Sequence, residues 1–191
     1  MATNTLSKEF FEAKYRTDSD PWKFASSSYE LSRYAEIIRS LEGRTFEAGF
    51  EPGCSIGVLT ERLAGVCRHL WAMDISPTAV AAARQRCEQL RNVSIEQGAL
   101  PNDVPADDFD LIVFSEIGYY FEPTMLTKIR DRLVETLRPR GMLIGCHWLG
   151  VSADHPLHGE EVHSVLRAGR ALRLTASRHF DGFMLERWER I

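Results

Sequence analysis

Two acids in this chain stand where a ligand with positive charge and paired hydroxyls would need them. Glu51 ends the apolar run of "FEAGFEPGCSIGVLTERLAGV" and Asp74 ends that of "WAMDIS". A carboxylate at a strand end can accept from both hydroxyls of a ribose at once. Between the first acid and the following helix-forming stretch lie Gly53, Ser55 and Gly57. A dinucleotide fingerprint needs glycine at the turn, at the pyrophosphate approach and at the helix contact. Here those places hold Gly53, Ser55 and Val58, and no Gly-Lys-Ser/Thr follows to make a phosphate loop. The turn therefore suits a nucleoside that presses no phosphate on it. Taken singly, Glu51 can also be read as a surface charge and Asp74 as a cap for the helix opened by Pro77.

The elements that must position these residues are readable from periodicity. "FEAGFE", "HLWAMDIS", "VSIEQ", "FDLIVFSE" and "MLIGCHW" are short β-type runs, and helical stretches separate most of them. Pro77 opens one such helix, with Val80, Ala83, Cys87 and Leu90 on one face; another carries Leu126, Ile129, Leu133 and Leu137. This alternation predicts right-handed βαβ units on a parallel sheet. Near the end, "ALRLTASRHF" and "GFMLERWER" are separated only by Asp181-Gly182, a hairpin signal that makes the last strand antiparallel. The expected fold is α/β and Rossmann-like, a mostly parallel seven-stranded sheet with an antiparallel last strand. Residues 1–43 read as N-terminal lid helices and 44–191 as the core of a single domain.

Composition narrows the partners. Hydrophobic residues make up 44% of the 191, charged residues 26%, and the formal net charge is -4. That is a globular composition without the basic stripe a nucleic-acid backbone requires. The start, "MATNTLSKEFFEAKY", puts charge where a signal peptide needs an apolar core, and no run is long enough to cross a bilayer, so a cytoplasmic protein is expected. Cys54, Cys67, Cys87 and Cys146 lack the spacing of a zinc site or a disulfide framework and read as reduced, buried thiols. His155, His158 and His163 follow no zinc pattern either, so no metal is expected.

S-adenosylmethionine, an adenosine joined through a sulfonium to an amino acid, meets the demands of the turn. On the ligand edge, Glu51, Gly53, Ser55, Gly57, Asp74 and its neighbour Ile75 become candidates for holding it, with Ala99, Leu100 and Ser115 after later strands. Glu116 and His147 follow the fourth and fifth strands, where a residue handling an acceptor would stand. An imidazole with a reference pKa near ~6.5 is suited to a base at neutral pH, although a hydrogen-bonded histidine at a strand end is the plainer reading. Tyr119, Tyr120, Trp148 and His155 offer flat faces to a sugar, or pack the tops of helices.

Acid and glycines in this spacing resemble the class I S-adenosylmethionine-dependent methyltransferases. Ser55 departs from their usual middle glycine, and Ala99 stands where they often carry an acid for the adenine amine. Read together, "DPWKFASSSYELSRYAEIIRSL", "FEPGCSIGVLTERLA", "MDISPTAVAAAR", "FDLIVFSEIGYYF" and "CHWLGVSADHPLHGEEVH" resemble the nodulation protein S family from about Phe10 to Val162. That resemblance implies methyl transfer from S-adenosylmethionine, leaving S-adenosylhomocysteine, to the free amine of a de-N-acetylated chitooligosaccharide. Trp22 and Arg33 would then belong to a lid over the cofactor, Arg33 facing the methionine carboxylate. A methyltransferase for another small nucleophile, a nicotinamide-dependent oxidoreductase and a non-catalytic adenosine-binding module are the alternatives.

Overall fold

Burial separates the strands into two kinds. β1 (Phe46–Pro52) and β4 (Phe109–Ser115) are buried at nearly every position, as strands covered on both faces must be. β6 (Leu172–Phe180) is exposed along most of its length, which marks a sheet edge. The computed structural model describes residues 6–191, in two compact units that divide after Ala99. Residues 1–5, the start of the expected lid segment and of the stretch read for a signal peptide, lie outside the described residues.

The first unit, from Ser7 to Ala99, contains α1 (Lys8–Thr17), α2 (Ser28–Ser40), β1, α3 (Val58–Leu63), β2 (Cys67–Asp74), α4 (Pro77–Arg86) and β3 (Val93–Gln97). Its strands are parallel in the order β3-β2-β1, with Glu51 opposite Ala72 and Asp74 opposite Gln97. The C-terminal ends of three strands therefore share one edge. Serines start the helices where the sequence offers them: Ser7 caps α1, Ser27 caps α2, and Ser76 caps α4 just before Pro77. Val80 and Ala83 of α4 pack with Cys54, Ala72 and Ile95 as the periodicity demands, but the helix ends at Arg86: Cys87 is its C-cap and Leu90, expected on the same face, packs from the turn beyond, beside Val93.

The second unit, from Leu100 onward, holds β4, a 3-10 turn (Gly118–Tyr120), α5 (Pro123–Thr136), β5 (Leu137–Trp148), α6 (Gly159–Arg167), β6 and β7 (Phe183–Arg190). β4 and β5 are parallel, while β7 lies between β5 and β6 and is antiparallel to both. Gly182, at φ +84°, lets the chain reverse between β6 and β7. Leu137, expected on the helix, instead begins β5 and is fully buried there. Seven strands, mostly parallel and with the last one antiparallel, match the expected α/β class.

Gly57 shows how tightly the first turn is built. It caps α3 at φ +81°, and a Cβ there would lie 3.1 Å from both Cα and Cβ of Ala83. Gly57→Ala is expected to destabilise the protein by about 1–3 kcal/mol, the cost of a strained backbone position with little room to relax. Urea denaturation checks this; an unchanged midpoint would show that the α3–α4 contact can yield.

Candidate functional site

Within the first unit, Asp74 holds the turn in shape. Its Oδ2 accepts from the Ser55 backbone N–H and its Oδ1 from that of Ser76, each at 2.9 Å. The Gly53 and Cys54 N–H groups both donate to the Met73 carbonyl, at 2.7 and 2.9 Å. Three left-handed residues, Gly53, Ser55 and Gly57, shape the five-residue bend. Glycine adopts such angles freely, whereas serine does so at a cost, so the hydrogen bond that the Ser55 N–H donates to Asp74 is what keeps Ser55 there. Asp74 does not cap α4, since Ser76 does that.

Glu51 is the second acid of this edge. It is 3% exposed, and its Oε2 has no hydrogen-bond partner; nor has the buried Thr60 Oγ1 on the first turn of α3. Burial pushes the Glu51 carboxyl up to about 8; the nearby Thr60 hydroxyl opposes this, and the charge of Asp74 adds to it. Burial likewise raises Asp74 to about 6, against the backbone hydrogen bonds that favour its charge. A buried carboxyl with an unmet oxygen fits a cationic ligand, which would restore its ionised form.

α1 is latched across this turn. The Tyr15 hydroxyl donates to Ser55 Oγ at 2.6 Å. The Glu12 carboxylate accepts from Ser76 Oγ at 2.6 Å, from Thr78 Oγ1 at 2.7 Å and from the Thr78 N–H at 3.2 Å. These hydrogen bonds, first from Ser76 and then from Thr78, hold Glu12 near about 2. Neither Glu12 nor Tyr15 was among the residues singled out by the sequence; their i,i+3 spacing on one face of α1 is the only local trace. Trp22 packs edge-on against Tyr15 and stacks on Phe24, with centroid separations of 5.4 and 5.7 Å. Arg33 is buried, not solvated, and is ion-paired with Glu30 between the rings of Tyr29 and Tyr34. Ile75 is half-buried, and its carbonyl accepts from Gln97 Nε2 at 3.4 Å. Ala99, one residue past the Gly98 N–H that donates to the Asp74 carbonyl, is also half-buried, as is Leu100 at the start of the second unit.

In the second unit, the ends of β4 and β5 bring a second group together. Glu116 has φ +60°, a strained angle for that residue, and its N–H donates to the Cys146 carbonyl at 2.9 Å. Its Oε1 accepts from the Trp148 N–H at 2.6 Å and its Oε2 from the Tyr119 hydroxyl at 2.9 Å. His155 stacks on Tyr119 at 4.0 Å and meets Tyr120 and Trp148 edge-on. Burial lowers the pKa of His155, so the ring in this cluster favours its neutral form. Ser115 Oγ is buried and has no hydrogen-bond partner. His147 is fully buried: its Nε2 accepts from the Gly118 N–H at 3.2 Å and its Nδ1 faces His163 Nε2 at 3.2 Å. His158 caps α6, and His163 reaches Glu186. All four cysteines are buried thiols outside any disulfide, and burial holds the Cys54 thiol well above its usual range.

The raised acids have a consequence for folding. Between the ordinary carboxyl value of 4.5 and about 8, native Glu51 keeps a proton that the unfolded chain has lost. Stability therefore falls as pH rises through that window, and Asp74 acts in the same sense from 3.8 to about 6. Glu51→Gln is expected to flatten the decline between pH ~5 and ~8 in denaturant titrations without ligand. Parallel curves for parent and variant would show that Glu51 is ionised in the native protein.

Comparison with known proteins accords with this geometry. The sequence model of the nodulation protein S family matches residues 4–155. Nodulation protein S of Sinorhizobium fredii is 31% identical over 127 residues, and that of Bradyrhizobium diazoefficiens 34% over 128; each match covers 65% of this chain. The chain spans only 59% and 61% of the lengths of those two relatives. The crystal structure of the N-methyltransferase NodS from Bradyrhizobium japonicum WM9 with S-adenosylhomocysteine superposes with a TM-score of 0.85 at 27% identity, covering 98% of both chains. A Pseudomonas syringae structure, 35% identical, covers 86% of this chain and 100% of its own at a TM-score of 0.76. Magnesium protoporphyrin IX methyltransferase of Synechocystis, at 12% identity and TM-score 0.76, shows the shared methyltransferase fold alone. With four fifths of its length matched by the family model, and with that fold, the chain belongs to the nodulation protein S family.

Proposed function

We propose that this protein is an S-adenosylmethionine-dependent N-methyltransferase whose acceptor is the free amine of a de-N-acetylated chitooligosaccharide. The observation that carries the cofactor assignment is Glu51: a carboxyl buried beside Asp74, with an oxygen lacking any donor, at the edge where ligands bind in open α/β sheets. Two buried acids disfavour pyrophosphate and favour a cation. The NodS relative crystallised with S-adenosylhomocysteine supports the same reading.

When bound, S-adenosylmethionine supplies a methyl carbon activated by a sulfonium. Asp74 would take the ribose hydroxyls through its remaining lone pairs, and Glu51 the cationic end. The bend at Gly53, Ser55 and Gly57 would carry the amino-acid portion, with Ile75, Ala99, Leu100 and Ser115 around the nucleoside and Trp22 and Arg33 on the lid side. On the acceptor side, Glu116 would orient the amine, which must attack neutral, while Tyr119, Tyr120, Trp148 and His155 face the sugar. The amine lone pair forms the new C–N bond as the C–S bond breaks, and the proton shed by the product amine leaves to water or Glu116. Orientation and exclusion of water then do most of the catalytic work. Among the described residues no helix is long and apolar enough to cross a membrane, and four buried thiols outside any disulfide suit a reducing compartment, so the proposed setting is the cytoplasm.

Mass spectrometry after incubation with S-adenosylmethionine is expected to show methyl gain on a terminally de-N-acetylated chitooligosaccharide and none on the fully acetylated one. Asp74→Ala should weaken S-adenosylhomocysteine by about 1.5–3 kcal/mol, the range for a lost hydrogen bond to a charged acceptor. Glu116→Gln should slow methylation while calorimetry finds that affinity unchanged. Equal methylation of both oligosaccharides would discard the acceptor assignment, and full affinity in Asp74→Ala would remove Asp74 from the cofactor site.

A further inference from the structure

A row of buried polar groups runs beneath the acceptor-side turn. The Gly118 N–H donates to His147 Nε2 at 3.2 Å, His147 Nδ1 meets His163 Nε2 at 3.2 Å, and His163 Nδ1 meets Glu186 Oε2 at 2.8 Å. Arg167 binds the other oxygen of Glu186, its Nε donating at 2.9 Å. His147, His163 and Glu186 are all fully buried. They come from β5, α6 and β7, so the row ties three elements to the turn.

Its direction is determined from both ends. Glu186 is an anion: burial opposes its charge, but hydrogen bonds from His163, Arg167 and Ser177 more than offset this and hold it at about 2. An ionised carboxylate only accepts, so His163 Nδ1 must carry a proton. Burial lowers the pKa of His163 and favours the neutral ring, which leaves Nε2 as an acceptor and makes His147 Nδ1 the donor. From the other end, a backbone amide can only donate, so His147 Nε2 must be bare. Both ends require the same tautomers. Protonating His163 would turn its Nε2–H on His147, reverse that ring, and set two N–H groups against each other at Gly118.

We propose that His147, His163, Glu186 and Arg167 form a one-way hydrogen-bond chain that positions the turn carrying Glu116 and Tyr119, so that His147 and His163 act on the acceptor by placement rather than as bases. This rests on the acceptor role assigned to Glu116 above. The amide that ends the chain gives up no proton, so the chain offers no route for proton removal. Packing shows what is being placed. A Cβ on Gly118 would lie 2.8 Å from His147 Nε2 and 2.4 Å from Val162 Cγ1, so the turn is seated directly on the imidazole and on α6. The His147 ring meets Tyr119 edge-on at 5.7 Å, and the Tyr119 hydroxyl binds Glu116. The Leu157 N–H donates to the Tyr119 carbonyl at 3.2 Å, which joins the loop bearing His155 to the same seat.

Long-range proton–nitrogen NMR of the histidine-labelled parent protein tests the chain without any variant. It should show His147 and His163 both neutral at pH ~7 with the proton on Nδ1; a proton on Nε2 of His147, or a charged ring, overturns the proposal. His163→Phe removes the acceptor for His147 and should raise the acceptor KM and lower kcat, together by up to roughly 100-fold, with S-adenosylhomocysteine affinity unchanged. Glu186→Gln keeps an acceptor oxygen for His163 and should retain the His147 tautomer and most of the activity. Normal acceptor kinetics in a folded His163→Phe would equally overturn it. Absence of methylation by the parent would refute the function proposed above, while the imidazole signals would still decide the chain.

Discussion

Burying two carboxyls at adjacent strand ends is the constraint on which the first unit depends. Asp74 is kept in place by two backbone N–H groups, and those bonds in turn hold Ser55 at a left-handed angle and start the path into α4. Glu51, beside it, has no backbone N–H to offset its burial, and the nearby Thr60 hydroxyl opposes the upward shift without cancelling it. Its cost in the free protein is the raised carboxyl value, and a cation is the natural remedy. The turn is thus stabilised by one acid and left wanting a ligand by the other.

The second unit solves a different problem with similar means. Glu116 stands at a strained backbone position, and its carboxyl is steadied by the Trp148 N–H and the Tyr119 hydroxyl. Beneath it the buried histidines carry no outward-facing nitrogen. His147 lies under the turn with both ring nitrogens engaged, and this geometry favours a positioning role over the base that its place after the fifth strand also allowed. Methyl transfer asks for alignment more than for proton removal, so a rigid seat under the acceptor turn is in keeping with the proposed reaction.

What could be read in the sequence was local. Strands buried on both faces show as continuous apolar runs, Pro77 marks a helix start, and Asp181-Gly182 marks a hairpin; each is decided by neighbours along the chain. Leu137 was misplaced because an apolar residue in register with the α5 face fits the first position of β5 equally well. Arg33 sits where helical periodicity allows either a solvated or a buried side chain, and its burial depends on Glu30, Tyr29 and Tyr34 closing around it. The Glu12 and Tyr15 latch joins residues 64 and 40 positions apart along the chain. Likewise His163 meets Glu186 across 23 positions. Such pairings leave no periodic signal, and only the folded chain brings them together.

Proton release on cofactor binding tests the account most directly. Calorimetric titration of S-adenosylmethionine at pH ~7, in buffers of differing ionisation enthalpy, counts the protons exchanged. If Glu51 is held neutral by burial and ionises against the cationic ligand, the parent should release about one proton more than Glu51→Gln. Equal proton counts for parent and variant, with binding intact in both, would contradict the claim that this buried acid is the cation receptor of the site.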